Sequence, residues 1–328
     1  MKLSELGELR LLQLFEDRLG VRREQEVLLA LGDDCAVIGA GSTNMLLTAD
    51  MLVEGVHFRR ELIPPRLLGR KSVVVNLSDL AAMGGTPRYG LLSLGLPEDL
   101  DVDYVEELMA GIEDVASPLG MDIVGGDTTR SPHLVINLAL VGECPRPVLR
   151  SRARPGEAVY ITGPTGLAAA GLELMRAGRA EQFPRLVEAQ NEPQARLAAG
   201  VALAASGLVG AMIDISDGLA RDLGHVSNLS GVAATMEEAL VPLDGGVREA
   251  ADLLGRNPLD WALGGGEDYE LLFTALPTHE ARLDAVLAKA GCRALRVGEM
   301  ERGRGVSLRH VDGRCSGFPR AGFDHFAA

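Results

Sequence analysis

Aspartates recur in this sequence beside glycine or small residues, at the ends of short apolar runs. They stand in Gly32-Asp33-Asp34, Thr48-Ala49-Asp50, Gly125-Gly126-Asp127 and Ile213-Asp214-Ile215-Ser216-Asp217-Gly218. Singly, a turn aspartate beside glycine can simply satisfy local backbone donors, and Asp217 could cap a following helix. One more, Asp79, shares a face with Asn76 in the stretch 67–87, LLGRKSVVVNLSDLAAMGGTP. That stretch reads as a helix with no broad polar face, hence buried, ended by Gly84-Gly85 and Pro87. A carboxylate there needs a cation. Arg70, Arg88 or Arg130 would make Asp79 half of a salt bridge; a metal ion would make it a ligand.

Together the acids suggest one chemistry. Like charges about 4 Å apart repel by roughly 4 kcal/mol at an effective dielectric near 20, so their convergence calls for bound cations. Oxygen-only ligands point to Mg²⁺ or Mn²⁺ rather than zinc. Mg²⁺ commonly holds phosphates through a few carboxylates, which makes a nucleotide the expected ligand. Gly125-Gly126 would let backbone N–H groups approach a phosphate. Arg150 and Arg130 could clamp phosphate oxygens, or be solvated surface residues. Gly264-Gly265-Gly266-Glu267-Asp268-Tyr269-Glu270 is either a ligand loop or a flexible turn with solvated acids. His57, in VEGVHF, is either a substrate contact or a packed structural residue.

The elements that must position these groups form two tandem α+β or α/β domains. Short apolar strands are expected at 27–31, 35–38 and 44–48, the last ending at Ala49-Asp50. Residues 4–19 read as an amphipathic helix. A strand at 89–96 follows the buried helix, then a helix over 101–119, a strand at 121–124 running into Gly125-Gly126-Asp127, and its partner at 134–142. Pro145, Pro147 and the polar run 150–156 mark the boundary, placed at 148/149. Beyond it come a strand at 158–162, helices at 167–177 and 194–206, a strand at 211–215 and a helix at 217–229. A strand at 233–236, a helix at 247–254, a strand at 269–275 and a helix at 280–290 follow.

At 328 residues the chain can hold two cores. Its net charge of −14 argues against a nucleic-acid surface or an anionic membrane. Lys2, Lys71 and Lys289 are its only lysines, and none lies in a GxxxxGK[ST] loop, which excludes a P-loop kinase. Cys35, Cys144, Cys292 and Cys315 are widely spaced, suggesting neither a zinc site nor a disulfide framework. With no apolar run long enough to span a bilayer and no signal-peptide pattern, a cytoplasmic address is expected.

GDDCAV, TADMLVEGVHF, NLSDLAAMGG, GGDTTR, IDISDGL, GGGEDYELLF and GFDHF, in this order, resemble the thiamine-monophosphate kinase family of the aminoimidazole-ribonucleotide-synthetase-like superfamily. The resemblance covers nearly the whole chain. It implies transfer of the γ-phosphoryl group of ATP to thiamine monophosphate, with mixed sheets flanked by helices and the site in a cleft between the domains. It also implies a homodimer paired through N-terminal domains. Carried over by motif, Asp34, Thr48, Ala49, Asp50, Asp79, Asp127, Asp214 and Asp217 would hold several Mg²⁺ ions, Asp79, Asp127 and Asp217 being central to catalysis. Gly126, Asp127, Arg150 and Ser216 would contact ATP, and His57, Glu267 and Phe323 would contact thiamine phosphate. Ala49 departs from the family, which often has Ser or Thr there; only its backbone carbonyl remains as a ligand. No Ser-His or Cys-His pair is needed, because a phosphate oxygen is already an anionic nucleophile. A selenophosphate synthetase would carry a reactive cysteine in a glycine-rich N-terminal segment, and the carbamoyl-processing relative a terminal cysteine motif; neither is present.

Overall fold

The computed structural model describes residues 21–318 and, before them, Arg10, Leu11, Leu14, Phe15 and Arg18, all five helical. Most of the helix expected over 4–19, and the whole GFDHF motif with Phe323, lie outside the described residues.

The first unit contains β1 (Val27–Leu29), β2 (Ala36–Ala40), β3 (Thr43–Val53), α1 (Pro65–Ala82), β4 (Thr86–Leu96), α2 (Val102–Ala116), β5 (Asp122–Arg130) and β6 (Val135–Cys144). Its six strands form one mixed sheet in the order β1-β2-β3-β6-β4-β5, with β4 and β5 parallel and the other pairs antiparallel. Among the described residues, α1 and α2 cover one face. Leu46, Leu138 and Leu140 pack from the sheet against Val73, Leu77 and Leu80 of α1 and Ile112 of α2. On the opposite face Met51, Tyr89 and Leu91 are 51%, 51% and 49% exposed.

Two strands run further than their sequence suggests. Asp50 stands inside β3, because all ten residues from Asn44 to Val53 pair with β6. Asp127 stands inside β5, because that strand stays in register with β4 as far as Arg130. A long neighbouring ladder holds a polar segment extended that would turn if left alone. Gly126 belongs to this packing: at φ +150°, a Cβ would lie 1.6 Å from the Leu92 carbonyl oxygen.

The second unit contains β7 (Ala158–Ile161), α3 (Leu167–Arg176), α4 (Pro184–Asn191), α5 (Leu197–Ser206), β8 (Val209–Asp214), α6 (Leu219–Ser230), β9 (Ala233–Glu237), α7 (Gly245–Leu254), α8 (Pro258–Gly264), β10 (Leu271–Ala275), α9 (Glu280–Ala288), β11 (Leu295–Glu301), β12 (Gly305–Arg309) and β13 (Cys315–Gly317). Its seven-stranded sheet has the order β13-β12-β9-β11-β7-β10-β8. Helices α4 and α8, absent from the sequence reading, are short and each begins at a proline, a residue already shaped for a first helical turn.

Helix α1 joins the two units. Thirteen of its residues are buried, which is possible because it is enclosed on several sides. Gly69 lies against the Leu108 carbonyl of α2, where a Cβ would approach to 2.1 Å. Ala81 and Ala82 pack with Leu203 of α5 and Met212 of β8 in the second unit. Two of its polar residues reach the second unit, Lys71 bonding to the Gln190 carbonyl and Ser78 to Asp214.

Candidate active site

Along one side of α1, Lys71, Val75 and Asp79 line a cavity of about 750 Å³. Their spacing of four residues stacks them on a single helix face. The opposite wall comes from the second unit, through Asp214, Ser216 and Asp217 after β8 and Gly266, Glu267 and Tyr269 before β10. The cleft thus lies between the two sheets.

At its acidic end the carboxylates of Asp34, Asp79 and Asp214 each offer an oxygen within 4.8 Å of the others. They come from a loop before β2, from α1 and from the last residue of β8. Asp79 accepts a hydrogen bond from Thr48 Oγ1, and Asp214 accepts one from Ser78 Oγ at 2.6 Å. The guanidinium partners considered for Asp79 are engaged elsewhere: Arg70 with Asp114 and Glu192, Arg88 with Glu143, Arg130 with Glu98. Among the described residues no lysine or arginine ion-pairs with Asp79 or Asp214. Asp34 differs, since Arg150 holds it through two hydrogen bonds of 3.1 and 2.6 Å while its backbone N–H donates to Asp33.

The electrostatics record the crowding. Burial, then Asp50, Asp214 and Asp34, raise the Asp79 pKa well above the carboxylate range. Burial and the nearby Asp34 push Asp214 up to about 8. Burial and Asp217 lift Asp50 to about 6, and burial and Asp34 lift Asp33 to about 7. Acids so placed favour either a proton or a cation. Asp50 also lines the cavity, its backbone N–H bonded to Asn76 Oδ1 at 3.0 Å.

Other predicted residues fall into place with different roles. Asp217 lines the cavity and does not cap α6, whose N-cap is Gly218. The buried Asp222 accepts the N–H groups of Asp217 and Gly218 and so fixes this turn. Ser216 reaches Asp214 at 3.5 Å. Ala49 is exposed, one residue out of phase with Thr48 and Asp50 along the strand. His57 lines the cavity while its Nδ1 accepts from the Val53 N–H at 3.0 Å, so a local structural bond and a cavity position coexist.

Asp127 is not brought to this cluster within the chain. Its register partner is Ser93, opposite Asn137, opposite Met51. It therefore stands three strands from β3, about 14 Å away, on the face that helices leave bare. Gly126 precedes it on the same strand. Arg130 is a surface residue paired with Glu98.

The acids of the GGGEDYE segment are each bonded within the protein. Glu267 is bonded to Lys71 Nζ at 3.0 Å and to the Gln190 amide. Asp268 accepts from Gly166 N at 2.6 Å, at the start of α3. Glu270 pairs with Arg196 and Thr162. Glu267 and Tyr269 have positive φ angles of 67° and 51°, a conformation costing non-glycine residues energy and tolerated where surroundings enforce it. Here the enforcing contacts are backbone bonds from Glu267 N to Ser216 O and Tyr269 N to Ile215 O, both 2.8 Å. Lys71 and Gln190 escaped the sequence reading. A lysine inside an apolar helix, 2% exposed, was the available signal for the first; Gln190 sits on the unforeseen α4.

Two domains of this topology, with the acid cleft between them, define an AIR synthase related protein. The N-terminal domain family of that description matches residues 32–144, and the C-terminal one residues 154–311. The thiamine-monophosphate kinase of Escherichia coli strain K12 is 36% identical over 340 residues, covering 98% of each chain. That of Aquifex aeolicus strain VF5 is 39% identical over 277 residues, 84% of this chain and 87% of its own. The solved structure of AaThiL complexed with AMPPCP and TMP superposes with a TM-score of 0.88 at 35% identity, over 99% of both chains. The chain belongs to the thiamine-monophosphate kinase family, and it is an enzyme.

Proposed function

We propose that the chain transfers the γ-phosphoryl group of ATP to thiamine monophosphate, giving thiamine diphosphate and ADP, in one direct in-line step dependent on Mg²⁺. ATP-dependent phosphorylation of thiamine monophosphate is the activity of the family, and the relative in complex with AMPPCP, an ATP analogue, and TMP supports both substrates. The observation that carries the metal reading is the meeting of Asp34, Asp79 and Asp214, of which Arg150 pairs only with Asp34 and leaves Asp79 and Asp214 without a cationic partner among the described residues. The closely packed all-oxygen donors, with Asp79 and Asp214 of raised proton affinity, fit a hard divalent cation.

Asp34, Thr48, Asp50, Asp79, Asp214 and Asp217 would hold Mg²⁺, with the Ala49 carbonyl as a further oxygen and Asp127 from its own strand. Bound Mg²⁺ would neutralise phosphoryl oxygens that otherwise repel each other. Thr48 and Ser78 hold the carboxylates of Asp79 and Asp214 in fixed orientation. Arg150, Ser216, Gly126 and Asp127 are assigned to the nucleotide. His57 and Glu267 are assigned to thiamine phosphate, with Phe323 beyond the described residues. The acceptor oxygen is already anionic: it forms the new P–O bond as the bond to the β-phosphate bridge breaks, and the leaving group is ADP. No general base is required. Holding two polyanions in line is the protein's main contribution.

The proposed division is 1–148 for nucleotide, metal and dimer contacts and 149–328 for the remainder of the cleft. The bare sheet face bearing Met51, Tyr89 and Leu91 is the proposed contact between two copies, since apolar side chains on an open sheet are stabilised by covering them. Among the described residues no helix is long and apolar enough to cross a membrane, and a cytoplasmic setting is proposed. Label from [γ-³²P]ATP should enter thiamine diphosphate only when Mg²⁺ and thiamine monophosphate are both present. Label appearing without the acceptor as a covalent phosphoprotein would overturn the direct step.

A further inference from the structure

The cavity extends along α1 from Asp79 to Lys71, two turns or about 12 Å. Beyond Lys71 its walls change character. Leu62 and Ile63 of the first unit face Leu172 and Met175 of α3 in the second. These apolar walls, in a cavity that Arg59 and Arg176 also line, suit a flat heterocycle whose phosphate lies among the acids. Asn191, the last residue of α4, lines the slot and is only 7% exposed. Its Nδ2 donates to the Leu62 carbonyl at 3.1 Å and touches Met175 Sδ at 3.6 Å. One side chain therefore ties both walls together.

Those contacts settle the amide's orientation, because a carbonyl can only accept and the NH₂ group must face it. The Asn191 Oδ1 atom is left without a donor among the described residues. This oxygen is not fully enclosed, and its residue lines the cavity. An amide oxygen in such a slot selects for a ligand hydrogen-bond donor such as an N–H, since an occupant without one leaves it unsatisfied.

We propose that Asn191 is a specificity-determining residue, whose Oδ1 accepts a hydrogen bond from the exocyclic amino group of the substrate's aminopyrimidine ring. This rests on the reading that thiamine monophosphate occupies the cavity. Gln190, the preceding residue, supports the same end of the slot: its carbonyl accepts from Lys71 Nζ at 2.9 Å and its amide holds Glu267. The C-terminus of α4 thus supplies adjacent residues that orient one substrate contact and provide another.

The test compares thiamine monophosphate with oxythiamine monophosphate, in which an oxo group replaces the amino group. Steady-state kcat/KM is measured for both at saturating ATP and Mg²⁺. The wild-type enzyme should prefer the amino compound by about tenfold or more. Asn191→Ala should reduce the preference to within about twofold, chiefly through KM for thiamine monophosphate, with KM for ATP unchanged. Asn191→Asp keeps an acceptor while losing the contacts to Leu62 and Met175, and should retain the preference. A preference undiminished in Asn191→Ala, lost in Asn191→Asp, or absent from the wild type would overturn the assignment while leaving the kinase reading intact. Turnover of neither compound by the wild type would overturn both.

Discussion

At the scale of single residues, the three meeting aspartates hold the most consequence. Burial and the neighbouring carboxylates already disfavour the charged form of Asp79, so Asp79→Asn should fold with an unchanged or higher Tm. Turnover should nevertheless fall by at least about 10²-fold, measured as ADP release with thiamine monophosphate present. The same crowding gives stability a definite pH dependence. An unfolded aspartate ionises near 3.8, whereas folded Asp50, Asp33 and Asp214 retain protons to about 6, 7 and 8. Between pH 4 and 8 the unfolded chain binds fewer protons, so stability without metal falls as pH rises through that window. Mg²⁺ binding to the ionised folded site should oppose the fall. Thermal scans should show Tm decreasing from pH 5 to pH 8 in EDTA, and a larger Mg²⁺-induced rise at pH 8 than at pH 5. Equal Mg²⁺ effects at both pH values would contradict this account.

Among the elements, α1 organises the site. It sets Asp79, Ser78 and Lys71 on surfaces that meet the second unit, and it lies so close to α2 that neither backbone admits a side chain at the crossing. A Cβ on Gly111 would come within 1.9 Å of the Arg66 carbonyl oxygen. Gly111→Ala should therefore push the helices apart and destabilise the protein by about 1–3 kcal/mol or more, seen as a lower denaturation midpoint. A neutral result would mean that the crossing yields at no cost. The burial of α1 was legible because its apolar residues run all round the helix. Strands β3 and β5 were read too short, since polar residues such as Asp50 and Asp127 resemble turns unless the neighbouring ladder is known. Helix α4 was missed because eight residues give too little periodicity, and Gln190 and Asn191 were missed with it.

For the whole molecule, the bare face of the first sheet carries the prediction about assembly. Leu91→Asp, alone or with Met51→Asp, places charge where an apolar contact is proposed. Sedimentation should show the wild type as a dimer and the variants as monomers, with their circular dichroism retained. Wild-type protein sedimenting as a monomer at micromolar concentration would remove this face as an interface. Asp127 stands on that same face, away from the acids of the cleft, so its assignment to nucleotide and metal depends on what covers the sheet.

The sequence by itself determined the order of the motifs, the two-unit architecture and the buried character of α1, because each follows from local composition, spacing or resemblance. Only the tertiary structure decided which acids meet. Asp34, Asp79 and Asp214 converge while Asp127 does not, and the arginines considered for Asp79 pair elsewhere. Likewise it separated Glu267, which faces the cavity, from Asp268 and Glu270, which brace the surrounding loops. The physical reason is that a carboxylate's neighbours are set by contacts between residues as much as 180 positions apart in the chain, as with Asp34 and Asp214. No local pattern encodes those distances.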